Sequence, residues 1–308
     1  MTTMVLTHPV FLEHDTGSLH PERPARLEAV LAALEVPEFE ELIRREAPAA
    51  TLEQVSRAHP RSYVDKILAA VPVHGHARLD PDTVVSPRSG EAALRAAGAV
   101  IAAVDAILAG EATNAFCAVR PPGHHAETAH AMGFCLFNNI AIGALHAREA
   151  HGLDRVAVVD FDVHHGNGTQ SIFEPDARLF LASIHQMPLY PGSGSRNERG
   201  VGNIVNVPMT PGSSGDDFRH AFIEFVLPEL EQFRPDLVMI SAGFDAHGVD
   251  PLANLHYTEE DFAWATRKLV GFAGRHCGGR LVSALEGGYD LHALAASAAA
   301  HVRELMAA

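Results

Sequence analysis

Only three cysteines occur in 308 residues, Cys117, Cys135 and Cys277, and no two of them form a CxxC pair. That excludes a disulfide framework and a thiolate zinc site. Basic residues are also scarce: 23 Lys and Arg stand against 38 Asp and Glu, a formal charge of −15. A general nucleic-acid binder needs a basic face, so that partner is set aside. A cationic substrate is compatible with the balance, as is plain solubility. No apolar run approaches the ~20 residues of a membrane span. The first residues, MTTMVLTHPVFLEHD, lack a basic stretch followed by a long apolar one. The expectation is a reducing cytoplasm and no membrane partner. With 47% hydrophobic and 20% charged residues, the chain has an ordinary globular composition. Histidine alone is abundant, with 20 copies, many beside Asp, Gly or another His.

Short apolar runs alternate with amphipathic or Ala-rich stretches from end to end. Expected strands are 4–7, 115–119, 156–160, 179–183, 204–207, 237–241 and 281–284. Expected helices are 24–34, 52–69, 89–109, 138–150, 216–233, 258–276 and 291–305. Val/Ile-rich runs alternating with helices predict an α/β fold with a parallel sheet covered on both faces. The irregular pieces 71–85 and 190–203 read as surface loops, and no linker or repeat interrupts residues 1–308, which are expected to form a single domain.

In such sheets, ligands bind beyond the carboxyl ends of the strands. Five expected strand ends carry suggestive residues there: RPPGHHAE, FDVHHGNGT, IHQ, AGFDAH and LEGGYD. If the backbone stays extended through Val163, Asp160, Asp162 and His164 share one side. Buried unpaired, such carboxylates would cost several kcal/mol each, and a divalent cation removes that cost. Asp162 and His164 can ligate it, with Asp160 behind them. Asp245, past an apolar strand and the permissive Gly243, supplies a third ligand. An Asp₂His set with open positions is catalytic in type. It suits Zn²⁺, while Fe²⁺, Co²⁺ and Mn²⁺ also fit. His124 and His125, after a Pro-Pro-Gly turn, can provide a base and electrostatic support, with Asp160 and Asn167 as partners for their far nitrogens. Tyr289, after two glycines, can donate to a developing oxyanion. Metal, water, base and oxyanion donor describe hydrolysis of an amide or ester.

These motifs, HPERPARL (20–27), RPPGHHA (120–126), GFCLFNN (133–139), DFDVHHGNGT (160–169), SAGFDAH (241–247) and EGGY (286–289), closely resemble the zinc-dependent histone deacetylase family. The resemblance spans about residues 5–290 and is nearest the class II branch with its bacterial amidohydrolase and acetylpolyamine amidohydrolase relatives. It implies an arginase-like single domain with an eight-stranded parallel sheet. It also implies zinc on Asp162, His164 and Asp245, with His125 as general base and acid and His124 as its electrostatic partner. Tyr289 would polarise the acyl carbonyl, Asp160 would support His124, and Asn167 would sit behind His125. Some members have Asp at the Asn167 position, and a neutral partner leaves His125 less basic.

The resemblance further implies an acyl-lysine tunnel walled by Phe134 and Tyr190, with Gly133, Leu252 and Gly288 beside it. Asp82 would sit at the rim and Arg26 in an acetate channel. A structural K⁺ would be held by carbonyls around Asp160, Asp162 and His164, with Ser183 and Ile184. Many relatives have Phe where Tyr190 stands. Cys135 reads as a buried inert thiol. The implied substrates are acylated lysine peptides or acetylated small amines. Polyamine specialists place a glutamate seven residues after the last metal aspartate, where this chain has Leu252, and bacterial polyamine enzymes carry a long insertion that the short 71–85 segment lacks. Both features favour acyl-lysine. A binding module without turnover would lack the base or the tyrosine. A two-metal ureohydrolase would need ligands nearer than Asp250. Both a monomer and a homo-oligomer are compatible with the sequence.

Overall fold

Hydrophobic β-branched runs without alternation cannot sit at a water-facing sheet, and here they lie in the middle of one. The computed structural model describes residues 2–307. Its strands are β1 (Thr3–Thr7), β2 (Ile43–Glu46), β3 (Ala77–Arg78), β4 (Val84–Val85), β5 (Asn114–Cys117), β6 (Val156–Asp160), β7 (Leu179–Gln186), β8 (Ile204–Met209), β9 (Leu237–Ala242) and β10 (Leu281–Leu285). Eight of them form one sheet in the order β2-β1-β5-β10-β9-β6-β7-β8, parallel at every pairing. Strands β5, β6, β9 and β10 are buried along their whole length, as strands covered on both faces must be.

The helices Ser89–Leu108 and Asn139–Glu149 pack together against the sheet, and the helices Pro24–Ala33, Glu259–His276 and Leu291–Met306 form a second packed group against it. The expected α/β fold with an eight-stranded parallel sheet is therefore present.

Several expected boundaries differ, each for a local reason. Strand β2, IRRE, is an edge strand whose last three residues are exposed; charge on an edge suppresses further pairing and also erases the apolar signal. The expected helix 52–69 is two helices, Leu52–Val55 and Arg61–Ala69, because Pro60 cannot continue one. The expected helix 216–233 includes a π-helical turn at Phe222–Val226 ahead of Pro228, where an N–H is missing. Strand β5 begins and ends earlier than 115–119, β7 runs three residues past Ser183, and the 71–85 loop holds the two-stranded β3–β4 pair. Among the described residues no helix is long and apolar enough to cross a membrane.

Candidate active site

All eight strands of the sheet run the same way, so the carboxyl ends of β5, β10, β9 and β6, side by side in the sheet, open on one edge. The side chains expected from those four strand ends meet, whereas His185 of the fifth, IHQ, is held away by Ser183 Oγ (2.9 Å) and the Gly194 carbonyl (3.0 Å). Strand β6 ends at Asp160, and the chain then bends through residues 162–164 instead of staying extended. Two side-chain-to-backbone turns make the bend: Asp162 N–H donates to Asp160 Oδ1 (3.0 Å) and His164 N–H to Asp162 Oδ1 (2.9 Å). This is the local habit of aspartate, and it brings Asp162 and His164 to the same point by a different route from pleat alternation.

His164 Nδ1 lies 3.0 Å from Asp162 Oδ1 and 3.2 Å from Asp245 Oδ2, and the ligand atoms of this buried trio are within 4.8 Å of one another. Backbone amides fix the remaining oxygens: Gly287 N–H donates to Asp162 Oδ2 (2.8 Å) and Val163 N–H to Asp245 Oδ1 (2.9 Å). A Cβ at Gly243 or Gly287 would overlap the carboxylate oxygens of Asp162 or Asp245, so both glycines are needed to let backbone approach them. Burial opposes charge on His164, yet the bonds from Asp162 and Asp245 hold its proton to a pKa of about 10. The site thus demands positive charge. A divalent cation supplies it, and two carboxylates with one imidazole suit zinc, iron(II) or cobalt(II).

His124 and His125 face different partners. His124 Nδ1 is 2.9 Å from Asp160 Oδ2, and its backbone N–H, like that of Gly123, donates to buried Glu286. Burial lowers its basicity, but Asp162, Asp160 and Glu286 prevail and raise its pKa well above the usual value. His125 is lowered well below it, by burial and then by repulsion from His124 and His164. The two adjacent rings thus have opposite preferences, His124 for the cationic form and His125 for the neutral one. His125 Nδ1 lies 2.7 Å from Asn167 Oδ1. Burial holds the Tyr289 phenol well above its usual pKa, so it stays O–H.

A cavity of about 230 Å³ leads here, lined by Asp82, His125, Gly133, Phe134, His164, Leu189, Tyr190, Leu252 and Tyr289. The expected wall residues line it except Gly288, which instead turns the chain at φ 124° beneath Tyr289. Gly133 has φ 56°, and a Cβ there would strike the His125 ring. Asp82 Oδ1 accepts from the Gly133 N–H (3.1 Å), pinning that turn. Buried Arg26 donates to Glu22 (3.2 Å) and to the Glu286 carbonyl (2.6 Å), also bonds the Gly288 carbonyl, and lies 4.8 Å from the Tyr289 ring centre. Ser183 pairs with Asp160 across β6 and β7, with Ile184 next to it. Cys135 is buried and its thiol pushed far up by that burial.

Sequence reasoning missed Leu189, Glu22, Glu127, Asp250 and Glu286 as parts of the site. Asp250 accepts from Leu252 and Tyr289 backbone N–H groups (3.0 and 2.8 Å), joining a cavity wall to the tyrosine turn. Glu286 stands inside a quoted motif, EGGY, which was its only signal.

The histone deacetylase domain model matches residues 20–305. A histone deacetylase-like amidohydrolase of Pseudomonas aeruginosa is 41% identical, over 92% of this chain and 77% of its own. Histone deacetylase 14, chloroplastic, of Arabidopsis thaliana is 38% identical, over 96% and 74%. The crystal structure of the HDA15 HD domain superposes with a TM-score of 0.94 at 38% identity, covering 99% of this chain and 88% of that one. With the site geometry, these matches make the chain a hydrolase of amide bonds and a member of the histone deacetylase family.

Proposed function

We propose that this chain removes acetyl, or other short acyl, groups from amines, foremost from the acetyl-lysine side chains of proteins or peptides. The observation that carries the reading is the cavity: an apolar sleeve of Phe134, Leu189, Tyr190 and Leu252 ending on His125, His164 and Tyr289. A lysine's methylenes fit such walls while its amide reaches the polar floor. Leu252 on the wall, where the family's polyamine specialists carry a glutamate, also favours acyl-lysine over an acetylpolyamine.

Asp162, His164 and Asp245 would hold zinc, with iron(II) or cobalt(II) as substitutes, and the ion would supply Lewis acidity to the acyl oxygen and to water. His125, neutral by burial and by its cationic neighbours, takes the proton of the attacking water and later delivers it to the departing amine. His124, kept charged by Asp160, Asp162 and Glu286, offsets the negative charge that grows beside it. Tyr289 O–H donates to the acyl oxygen as it gathers charge, worth about 2.7–4 kcal/mol for a donor of this type. Arg26 braces the glycine turn carrying Tyr289 and would accompany acetate outward. A K⁺ against Asp160, Asp162 and His164, with Ser183 and Ile184, would steady the bend. Three free, buried cysteines accord with a cytoplasmic setting.

The test is turnover of a fluorogenic acetyl-lysine peptide against N-acetylputrescine, by zinc-loaded and metal-stripped protein. Zinc-dependent cleavage favouring the peptide is expected. Preference for the polyamine would overturn the substrate assignment, and no turnover of either by zinc-loaded protein would overturn the acetyl reading.

A further inference from the structure

An asparagine behind a general base raises a problem that an aspartate does not. Both carboxylate oxygens accept hydrogen bonds, whereas an amide accepts at one end and donates at the other. Turned one way, Asn167 accepts from His125 Nδ1–H and leaves the lone pair on Nε2. Turned the other way, its NH₂ faces Nδ1, the proton moves to Nε2, and the ring loses its basic nitrogen. Something must choose.

Glu127 does so here. Asn167 Nδ2 lies 2.8 Å from Glu127 Oε1 and 3.3 Å from Met132 Sδ, while Oδ1 lies 2.7 Å from His125 Nδ1. An ionised carboxylate and a thioether only accept, so the amide nitrogen must face them and the oxygen must face the histidine. Glu127 is itself held in the turn after His125, its N–H donating to the His130 carbonyl (3.0 Å). We propose that Glu127 is a positioning residue: by fixing the Asn167 amide it sets the His125 tautomer. This rests on His125 being the base of the reaction proposed above.

Donor and acceptor rules dictate the test. Glu127→Lys puts a donor where an acceptor stood. The ammonium attracts Asn167 Oδ1, the amide turns over, and kcat should fall by about a hundredfold, the low end of a general base's contribution, with KM and zinc content little changed. Adding Asn167→Asp restores an acceptor to both sides, because a carboxylate accepts from the introduced ammonium and from His125 Nδ1–H together. The double variant Glu127→Lys/Asn167→Asp should therefore recover most of the loss. Glu127→Gln, which still offers an acceptor, should lose far less than Glu127→Lys.

Ring ¹⁵N NMR of the zinc-loaded protein reads the tautomer directly: Nδ1–H in the parent and double variant, Nε2–H in Glu127→Lys. A His125 that keeps Nδ1–H in Glu127→Lys overturns the positioning role, as does a double variant no more active than the single one. A tautomer that switches without loss of turnover leaves the positioning role standing and instead removes His125 as the base.

Discussion

Asp162, His164 and Asp245 at the sheet edge, and Asp105, His146 and His151 between two helices, present the same kinds of donor, with ligand atoms within 4.8 Å of one another in both. In the helical cluster both imidazole Nε2 atoms lie 2.6 Å from one Asp105 oxygen, and Arg57 lies 2.7 Å from His146 Nδ1. A guanidinium can only donate, so His146 accepts at Nδ1 and donates from Nε2 to Asp105. Burial would raise the Asp105 pKa, but the bonds from His146 and His151 lower it. Every charge there has a partner, and water reaches both Asp105 and His151. At the sheet edge two carboxylates face one imidazole, with Asp160 and Glu286 close behind and all of them buried. Residue types make the two clusters alike; surplus negative charge shut away from water marks the sheet-edge cluster, and not the helical one, as the candidate metal centre.

The contrast breaks most readily at Asp245. Asp245→Ala should abolish turnover, exceeding the ~10–100-fold typical of partners behind a ligand, whereas His146→Ala/His151→Ala should leave steady-state rates as they are. A similar fall in both would erase the distinction. Next comes Tyr289→Phe, which should keep the metal and lower kcat about 10²–10³-fold; metal loss equal to that of Asp245→Ala, read by elemental analysis, would contradict its placement.

Acid sharpens the comparison by adding a third case, histidines buried without an adequate carboxylate. Burial lowers His59 to about 4, and His185 and His301 to about 3. The unfolded chain binds these protons more readily than the folded one, so stability rises with pH. It should be complete above the unfolded value of 6.5 and fall as the pH drops from 6.5 towards 3, as denaturant midpoints across that range would show. A flat profile would mean that these rings are solvated. The smallest effect belongs to Asp105→Asn, which should cost no more than about 1 kcal/mol, since half-exposed ion pairs are screened. A larger shift in the unfolding midpoint would give the helical cluster a structural weight that its exposure argues against.

Legibility in the sequence followed the same division. Strand-end motifs announced Asp162, His164, Asp245, His124, His125 and Tyr289, because short local patterns repeat the geometry of βα turns. Strand β2 stayed hidden because IRRE has the polarity an edge requires. The bend at 162–164 was hidden because side-chain-to-backbone turns of aspartate leave no periodicity. Lone carboxylates were harder still. Asp250 and Glu286 act through backbone N–H groups 39 and 163 residues away, and Glu127 acts through an amide 40 residues on; only the folded chain brings them into register. The opposite charge preferences of neighbouring His124 and His125 arise likewise only in the fold: Asp162 and Asp160 raise the first, whereas burial and repulsion from His124 and His164 lower the second.

Which cluster holds the metal is read most directly by a zinc titration of metal-stripped protein, comparing the parent, Asp245→Ala and His146→Ala/His151→Ala by calorimetry. One tight equivalent is expected in the parent and in the helical double variant, and none in Asp245→Ala. A tight equivalent that survives in Asp245→Ala but vanishes in His146→Ala/His151→Ala would contradict that expectation.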